Sequence, residues 1–328
     1  MTIVITGVAG LLGSHLHRYL LSKGHRVIGI DDLSGGYLDF VASDSNFLFY
    51  NRTIGSDSIS DIFEQHKPDV VYHLAAYAAE GLSPFIRCFN YKNNIIASAA
   101  VINECIKHDC KLVFTSSMAV YGSQHPPFTE DMELKPIDPY GIAKYAVELD
   151  VVQAHTQFGL RYNIVRPHNV LGIYQNIWDK YRNVIGIFIR RALNKEPLIV
   201  YGDGTQTRAF SDIQYYMEPF EKLLTGFDSD TFNIGADKYW TLNDVANIVK
   251  KVSESFGCPC EITHGQARHE AKHAFCDHSK AKRLLNFKDE TNLENLIASM
   301  FVWAKDQPKR NVKLLTYEVE KNIYSYWK

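Results

Sequence analysis

The first twenty-three residues constrain the fold more than any other stretch. Ile3-Val4-Ile5-Thr6 is a short apolar run of strand type, and Gly7-Val8-Ala9-Gly10-Leu11-Leu12-Gly13 follows without a break. Ser14–Lys23 then has helical character. A strand, a glycine-rich turn and a helix in that order open a Rossmann unit. The glycines allow a tight turn and let bare backbone approach a pyrophosphate at the helix N-terminus, where unpaired N–H groups point at it. A glycine pattern alone is a weak signal. It becomes a strong one with a strand before it, a helix after it and an acid at the right distance.

That acid follows the second strand, Arg26–Ile30: Asp31 lies 18 residues beyond Gly13, where a carboxylate can accept a hydrogen bond from a ribose 2′-hydroxyl. Asp32 beside it reads as facing solvent. No basic residue follows in Leu33-Ser34-Gly35-Gly36, so a 2′-phosphate would meet repulsion and no partner, and NAD is expected over NADP. A third strand (Phe47–Tyr50), a helix (Ile59–Gln65) and a fourth strand (Asp69–His73) continue the alternation, which predicts an α/β chain with a doubly wound parallel sheet. Leu74, Ala75 and Ala76 end the fourth strand. Their small size lets the backbone lie against the ribose and nicotinamide side of the cofactor.

The chemistry is expected in residues 111–148. Lys111–Thr115 reads as a buried parallel strand that delivers Ser116 and Ser117 at its C-terminal end. After a polar, proline-containing loop, Asp138 is placed to cap a helix with Pro139 at its first position. Tyr140 and Lys144 then fall one turn apart on one face. A free tyrosine titrates at about 10, too high for a base at neutral pH, and a neighbouring ammonium favours the phenolate. Ser117 can bond the same substrate oxygen. Taken alone, the Tyr-x-x-x-Lys spacing is an ordinary amphipathic face. Ser117, 23 residues upstream at the end of a strand, and the nucleotide-binding start favour the catalytic reading.

Three motifs in order, Thr6-Gly7-x-x-Gly10-x-x-Gly13, Ser116-Ser117-x-x-Val120-Tyr121-Gly122 and Tyr140-x-x-x-Lys144, make the chain resemble the extended short-chain dehydrogenase/reductases. Within that group it is most similar to the NAD-dependent sugar-nucleotide epimerase/dehydratase family, from Ile3 to about Phe287. The resemblance implies an NAD-binding Rossmann domain over residues 1–172. A smaller, mostly C-terminal substrate-binding lobe would occupy 173–328, with segments such as 205–235 returning to the first domain. It implies Gly7, Gly10, Leu11, Leu12, Gly13, Asp31, Leu74, Ala75, Ala76, Tyr140, Lys144 and Pro167 as the cofactor set. Asn94 either joins that set or caps a helix. The family's adenine-contacting aspartate has no counterpart in Arg52-Thr53-Ile54, which leaves adenine recognition open.

The resemblance further implies a nucleotide-sugar substrate, UDP-linked, held by Ser117, Asn169, Arg208 and Arg268. The family's Arg-Pro-x-Asn-Val-Tyr-Gly signature appears here as Arg166-Pro167-His168-Asn169-Val170-Leu171-Gly172, with Leu171 in place of the tyrosine. His168 admits a substrate role and a structural one. Glu80 reads either as a substrate contact or as a loop carboxylate facing water. Ala274 falls where a small residue would admit an N-acetyl group. Met118 and Ala119 occupy the places of the acid pair of 4,6-dehydratases, and Ala119 that of the cysteine of 3,5-epimerases; neither can move a proton. The reaction expected is therefore 4-epimerisation of a UDP-hexose or UDP-N-acetylhexosamine with Tyr140 as acid/base. The alternatives are another reaction on the same scaffold, such as a decarboxylation, or NAD sensing without turnover. Apolar faces on 94–107 and 140–157 suggest, by the same resemblance, a homodimer.

Bulk properties narrow the rest. With 328 residues, 46% of them hydrophobic and 22% charged, the chain can bury a substantial core. A net charge of −2 gives no reason to expect nucleic acid or an anionic membrane as partner. No run of apolar residues is long enough to span a bilayer, and the N-terminus enters a strand without a signal-like segment. Six cysteines lack zinc-ligand spacing, so no metal is expected and the thiols read as reduced, in keeping with a cytoplasmic protein. The tyrosine-rich tail after Pro308 carries no readable motif.

Overall fold

The structure, a computed structural model, describes every residue except His269, Asn311, Lys313, Leu314, Ser325, Tyr326 and Lys328. Its centre is a parallel sheet of seven strands: β1 (Thr2–Thr6), β2 (Arg26–Asp31), β3 (Phe47–Asn51), β4 (Val70–His73), β5 (Lys111–Thr115), β6 (Tyr162–Pro167) and, far along the chain, β11 (Asp230–Ile234). The spatial order is β11-β6-β5-β4-β1-β2-β3. These strands are Val-, Ile- and Leu-rich runs without polar alternation because helices cover both faces. On one face α1 (Leu11–Ser22) and α7 (Met217–Lys222) pack over Ile3, Ile5, Val27, Tyr72 and Phe232. On the other, α2 (Ser60–His66), α4 (Ala97–Lys107) and α5 (Pro139–Phe158) cover Val4, Ile28, Val71, Leu112 and Ile164.

Successive strands run outward in opposite directions from the β1–β4 pair. The first connections therefore leave a crevice above the carboxyl ends of β1 and β4, where ligands bind in open α/β sheets. The turn into α1 and the end of β4 both open onto it.

The chain after β6 divides its service. Strands β7 (Val170–Leu171) and β10 (Ser211–Asp212) pair beside the sheet. Helices α6 (Val184–Leu193), α8 (Leu242–Ser255) and α10 (Leu293–Lys305) pack with the β8–β13 pair (Leu198–Tyr201, Ile262–Gly265) around Ile185, Phe188, Val245, Val249, Ile297 and Phe301. A small sheet of β9 (Thr207–Ala209), β12 (Tyr239–Thr241) and β14 (His273–Ala274) faces the crevice. The return to the first core goes beyond 205–235: Ala281 and Leu285 of α9 (Ser279–Leu285), with Phe287, pack against the same cluster as β1.

Helix starts follow their local chemistry. Asp138 accepts from the Gly141 N–H at 3.0 Å ahead of Pro139, and Thr241 with Asp244 forms a reciprocal capping box on α8. The tail is held as well. The Glu318 carboxylate accepts from the N–H groups of Cys88 and Phe89 at 2.7 and 2.8 Å, at the start of the short helix α3 (Arg87–Tyr91). Ile323 and Trp327 pack on Leu82 and Phe85.

Candidate active site

The crevice widens into a cleft of about 710 Å³ between the parallel sheet and the smaller lobe. At its floor the backbone of Gly7 has φ +72, and a Cβ there would stand 2.7 Å from the Ala75 nitrogen. A Cβ on Gly13 would sit 2.2 Å from the Gly7 carbonyl oxygen. These two glycines let the β1 turn, the end of β4 and α1 close on one another. Gly10 meets only the Gly7 oxygen at 3.3 Å and turns its bare backbone to the cleft, as do Leu11 and Leu12 at the start of α1. Asp31, at the end of β2, accepts from the Ala9 N–H at 3.0 Å and the Leu33 N–H at 2.8 Å, which fixes its carboxylate at the rim. Burial raises its pKa, and the two backbone bonds hold it down.

Leu74, Ala75, Ala76, Tyr140, Lys144 and Pro167 complete this half of the cleft. Glycine backbone beneath a helix N-terminus and a carboxylate one strand away form a cradle that fits a dinucleotide. The adenine end is bordered by Arg52, Thr53 and Ile54. One basic residue escaped the reading of the Asp31 loop. Arg182, from the chain after β7, lies against Gly35, close enough that a Cβ there would be 2.7 Å from its Nη2. Its charge is matched by Asp179 at 3.1 Å, and its guanidinium covers the Tyr77 ring at 4.6 Å.

Asn94 lies outside the cleft lining and is not a helix cap. It is buried within a π-helical turn, accepts from the Tyr77 N–H at 2.9 Å and donates to the Tyr77 carbonyl at 3.2 Å. Its amide thus clamps the segment after β4 that carries Leu74–Ala76, and the helix-cap reading is corrected: Asn94 braces the wall of the cleft from behind.

Ser117, just past the end of β5, and Tyr140, in the first turn of α5, both line the cleft. Burial pushes the Tyr140 phenol far above its ordinary value; the Ser117 hydroxyl opposes this, while Glu80 and Asp138 reinforce it. The Lys144 ammonium donates to the Thr115 carbonyl at 2.8 Å and lies 6.0 Å from the Tyr140 ring centroid. The side chain leans over Phe114, whose ring centroid is 4.8 Å away, to reach this backbone acceptor at the strand end. Burial lowers the Lys144 pKa to about 7.

At the opposite end, Glu80, Asn169, Arg208 and Arg268 line the cleft. Asn169 holds φ +41 and donates to the Ala209 carbonyl at 2.9 Å, tying the end of β6 to β9. Arg208 pairs with Glu270 at 3.0 Å, and Arg268 stacks over the Tyr201 ring at 3.9 Å. His168 lies outside the cleft lining, in the structural setting that the sequence also allowed. It is buried with its Nε2 2.8 Å from that of His278, rings stacked at 5.0 Å, against Gly235 where no side chain would fit. Ala274 is also corrected. It pairs with Arg208 between β14 and β9 and packs on Val120, Tyr121 and Phe128, away from the cleft. Its neighbour Phe275 stacks on Tyr239 at 4.5 Å instead. Sequence reasoning missed Gln175, Arg182 and the tail residues Tyr324 and Trp327, all on the cleft wall. Nothing in their local sequence marks them.

The fold and the cleft together define an NAD-binding α/β enzyme of the Rossmann type. Residues 3–235 match the model of the NAD dependent epimerase/dehydratase family, and the chain belongs to that family. It is 29% identical to a UDP-glucose 4-epimerase of Halalkalibacterium halodurans, over 94% of this chain and 97% of that protein. It is 28% identical to a UDP-glucuronate 4-epimerase of Thermodesulfobacterium geofontis, over 95% and 97%. The crystal structure of UDP-glucose 4-epimerase with UDP-glucose from Thermotoga maritima superposes with a TM-score of 0.86 at 30% identity, covering 93% of this chain and 99% of that one. Among the described residues no cluster of ligands could hold a metal ion, and no helix is long and apolar enough to cross a membrane.

Proposed function

We propose that the protein inverts carbon 4 of a UDP-linked hexose or N-acetylhexosamine by transient oxidation. Tyr140 takes the proton of the 4-hydroxyl while Ser117 holds the same oxygen. NAD, when bound, would accept a hydride from carbon 4 and return it. Tyr140 would give its proton back to the same oxygen once the keto sugar presents its other face. Lys144 anchors the cofactor ribose next to Thr115, and Arg208, Arg268 and Asn169 take the diphosphate.

The observation that carries this reading is the placement of Ser117 and Tyr140 on one cleft wall, where the Ser117 hydroxyl favours the phenolate, with Met118 and Ala119 next to Ser117 offering no second acid for elimination. The UDP-sugar 4-epimerase relatives support it. We assign 1–172 with β11 and α9 to the cofactor, and most of the remainder to the nucleotide sugar. Ile142, Leu149 and Val152 of α5, with Ile96, leave an apolar stripe exposed, which favours a homodimer through these helices. The six cysteines are free thiols, in keeping with a cytoplasmic setting. Incubation with NAD and a panel of UDP-, GDP- and dTDP-sugars, read by NMR, tests the reading: a product differing only at carbon 4 supports it, and a 4,6-dehydrated or decarboxylated product contradicts it.

A further inference from the structure

Glu80 is an acidic side chain of the cleft that the proposed reaction leaves unused, placed between the tyrosine and the arginines. It opens the short turn Glu80–Phe85 after β4. Ser83 ties that turn to α5: its hydroxyl donates to the Glu80 carbonyl at 2.7 Å, accepts from the Tyr140 N–H at 3.1 Å and lies 3.4 Å from the Asp138 carboxylate. The Glu80 side chain is therefore carried on the same rigid unit as the reacting phenol. Its carboxylate makes no hydrogen bond and no ion pair with any described residue, although it lines the cleft together with Tyr140, Ser117 and Arg208. Its charge acts on Tyr140 on one side, and Arg208 acts on it from the other. A substrate stretched from the phenol to the phosphate-binding arginines passes this carboxylate with its hexose ring.

We infer that Glu80 is a specificity residue, which accepts hydrogen bonds from the hydroxyl or amide groups of a neutral hexose and excludes hexuronic acids. This rests on the proposed orientation of the nucleotide sugar. A neutral sugar supplies O–H or N–H donors to an acceptor that has none from the protein, whereas a uronate brings a second carboxylate to a site already acidic. Asp138 and Glu270 add negative charge around Glu80; Arg208 is paired with Glu270 and Arg182 with Asp179, and Arg268, whose Nη1 comes 4.0 Å from a Cβ position at Gly81, stacks on Tyr201 and faces the diphosphate in the proposed orientation. The relative that acts on UDP-glucuronate thus differs from this chain in the sugar it takes. Enclosure by the cleft walls, Asp138 and Glu270 raise the Glu80 carboxyl against the opposing pull of Arg208, although its side chain still meets solvent, so exclusion of uronates weakens as pH falls.

The test compares binding of UDP, UDP-glucose and UDP-glucuronate to the NAD-loaded protein by calorimetry, which needs no turnover. At pH 8 UDP-glucuronate should bind at least about tenfold more weakly than UDP-glucose. Glu80→Gln should narrow that gap by strengthening the uronate and weakening the hexose. In the unmodified protein the gap should also shrink between pH 8 and pH 6, a measurement that stands even if the variant does not fold. Equal affinity for the two sugars at pH 8, or a gap indifferent to pH and to Glu80→Gln, would overturn the assignment. Binding discrimination without any epimer formed would sink the 4-epimerase reading and leave the role of Glu80 standing.

Discussion

Lys144 sets its ammonium 2.8 Å from the Thr115 carbonyl and 6.0 Å from the centre of the Tyr140 ring, so the two residues of the Tyr-x-x-x-Lys pair share a helix face without sharing a proton. The lysine is fully buried and the tyrosine nearly so, and burial drives their pKa values in opposite directions. Burial keeps the phenol protonated, and the Ser117 hydroxyl opposes that effect.

Lys144 carries a stability signature with a defined sign. Its pKa falls from 10.5 to about 7 on folding, so between those values the unfolded chain holds the proton more tightly than the folded one. Stability should then rise with pH across that window and be lowest below it. Lys144→Met should remove the rise, shifting the difference in unfolding free energy between the two proteins by roughly 1 kcal/mol per pH unit between pH 7.5 and 9.5. Urea unfolding of the cofactor-free proteins measures it; parallel curves for both would contradict the placement of Lys144.

Asp31 should set cofactor choice. The protein should bind NAD more tightly than NADP, and Asp31→Ala should narrow the gap, because a carboxylate fixed by two backbone N–H groups repels a 2′-phosphate. Arg182 near Gly35 is paired with Asp179, so Asp179→Asn should improve NADP binding by releasing that charge. Calorimetric titrations with NAD and NADP would show it. Tighter NADP binding by the unmodified protein would contradict both statements.

Arg208→Ala should weaken UDP and UDP-hexose alike, at a cost of roughly 1.5–3 kcal/mol for a charge-assisted contact to phosphate. The pairing of Arg208 with Glu270 adds a second expectation. Glu270→Gln frees the guanidinium and should tighten UDP binding by up to about fivefold, the worth of a partly exposed pair. Calorimetry with UDP alone reads both; weaker binding by Glu270→Gln would mean that Glu270 helps hold the nucleotide.

What was legible in the sequence is what neighbouring residues decide among themselves. The Gly7–Gly13 turn, Asp31 at a strand end, Ser117 after β5 and the Asp138-capped helix with Tyr140 all follow from local spacing, and all contribute to the cleft lining. The misreadings share one cause, partners far away in sequence. His168 is claimed by His278, 110 residues on, and Asn94 by the backbone of Tyr77. Ala274 lies in the right strand, but β14 pairs with β9 so that its methyl packs on Tyr121 and Phe128. Arg182, Tyr324 and Trp327 reach the cleft only because loops and tail fold back over it, which no periodicity announces.

The central claim is that Tyr140 and NAD move one proton and one hydride at carbon 4 and nothing else. UDP-glucose carrying deuterium at carbon 4, incubated with the NAD-loaded protein and followed by proton NMR, tests it most directly. The account predicts the 4-epimer with its deuterium retained, and a rate lowered roughly 10²–10⁴-fold in Tyr140→Phe while NAD and UDP-glucose still bind. Deuterium lost to solvent, or the epimer formed by Tyr140→Phe at the normal rate, would contradict it.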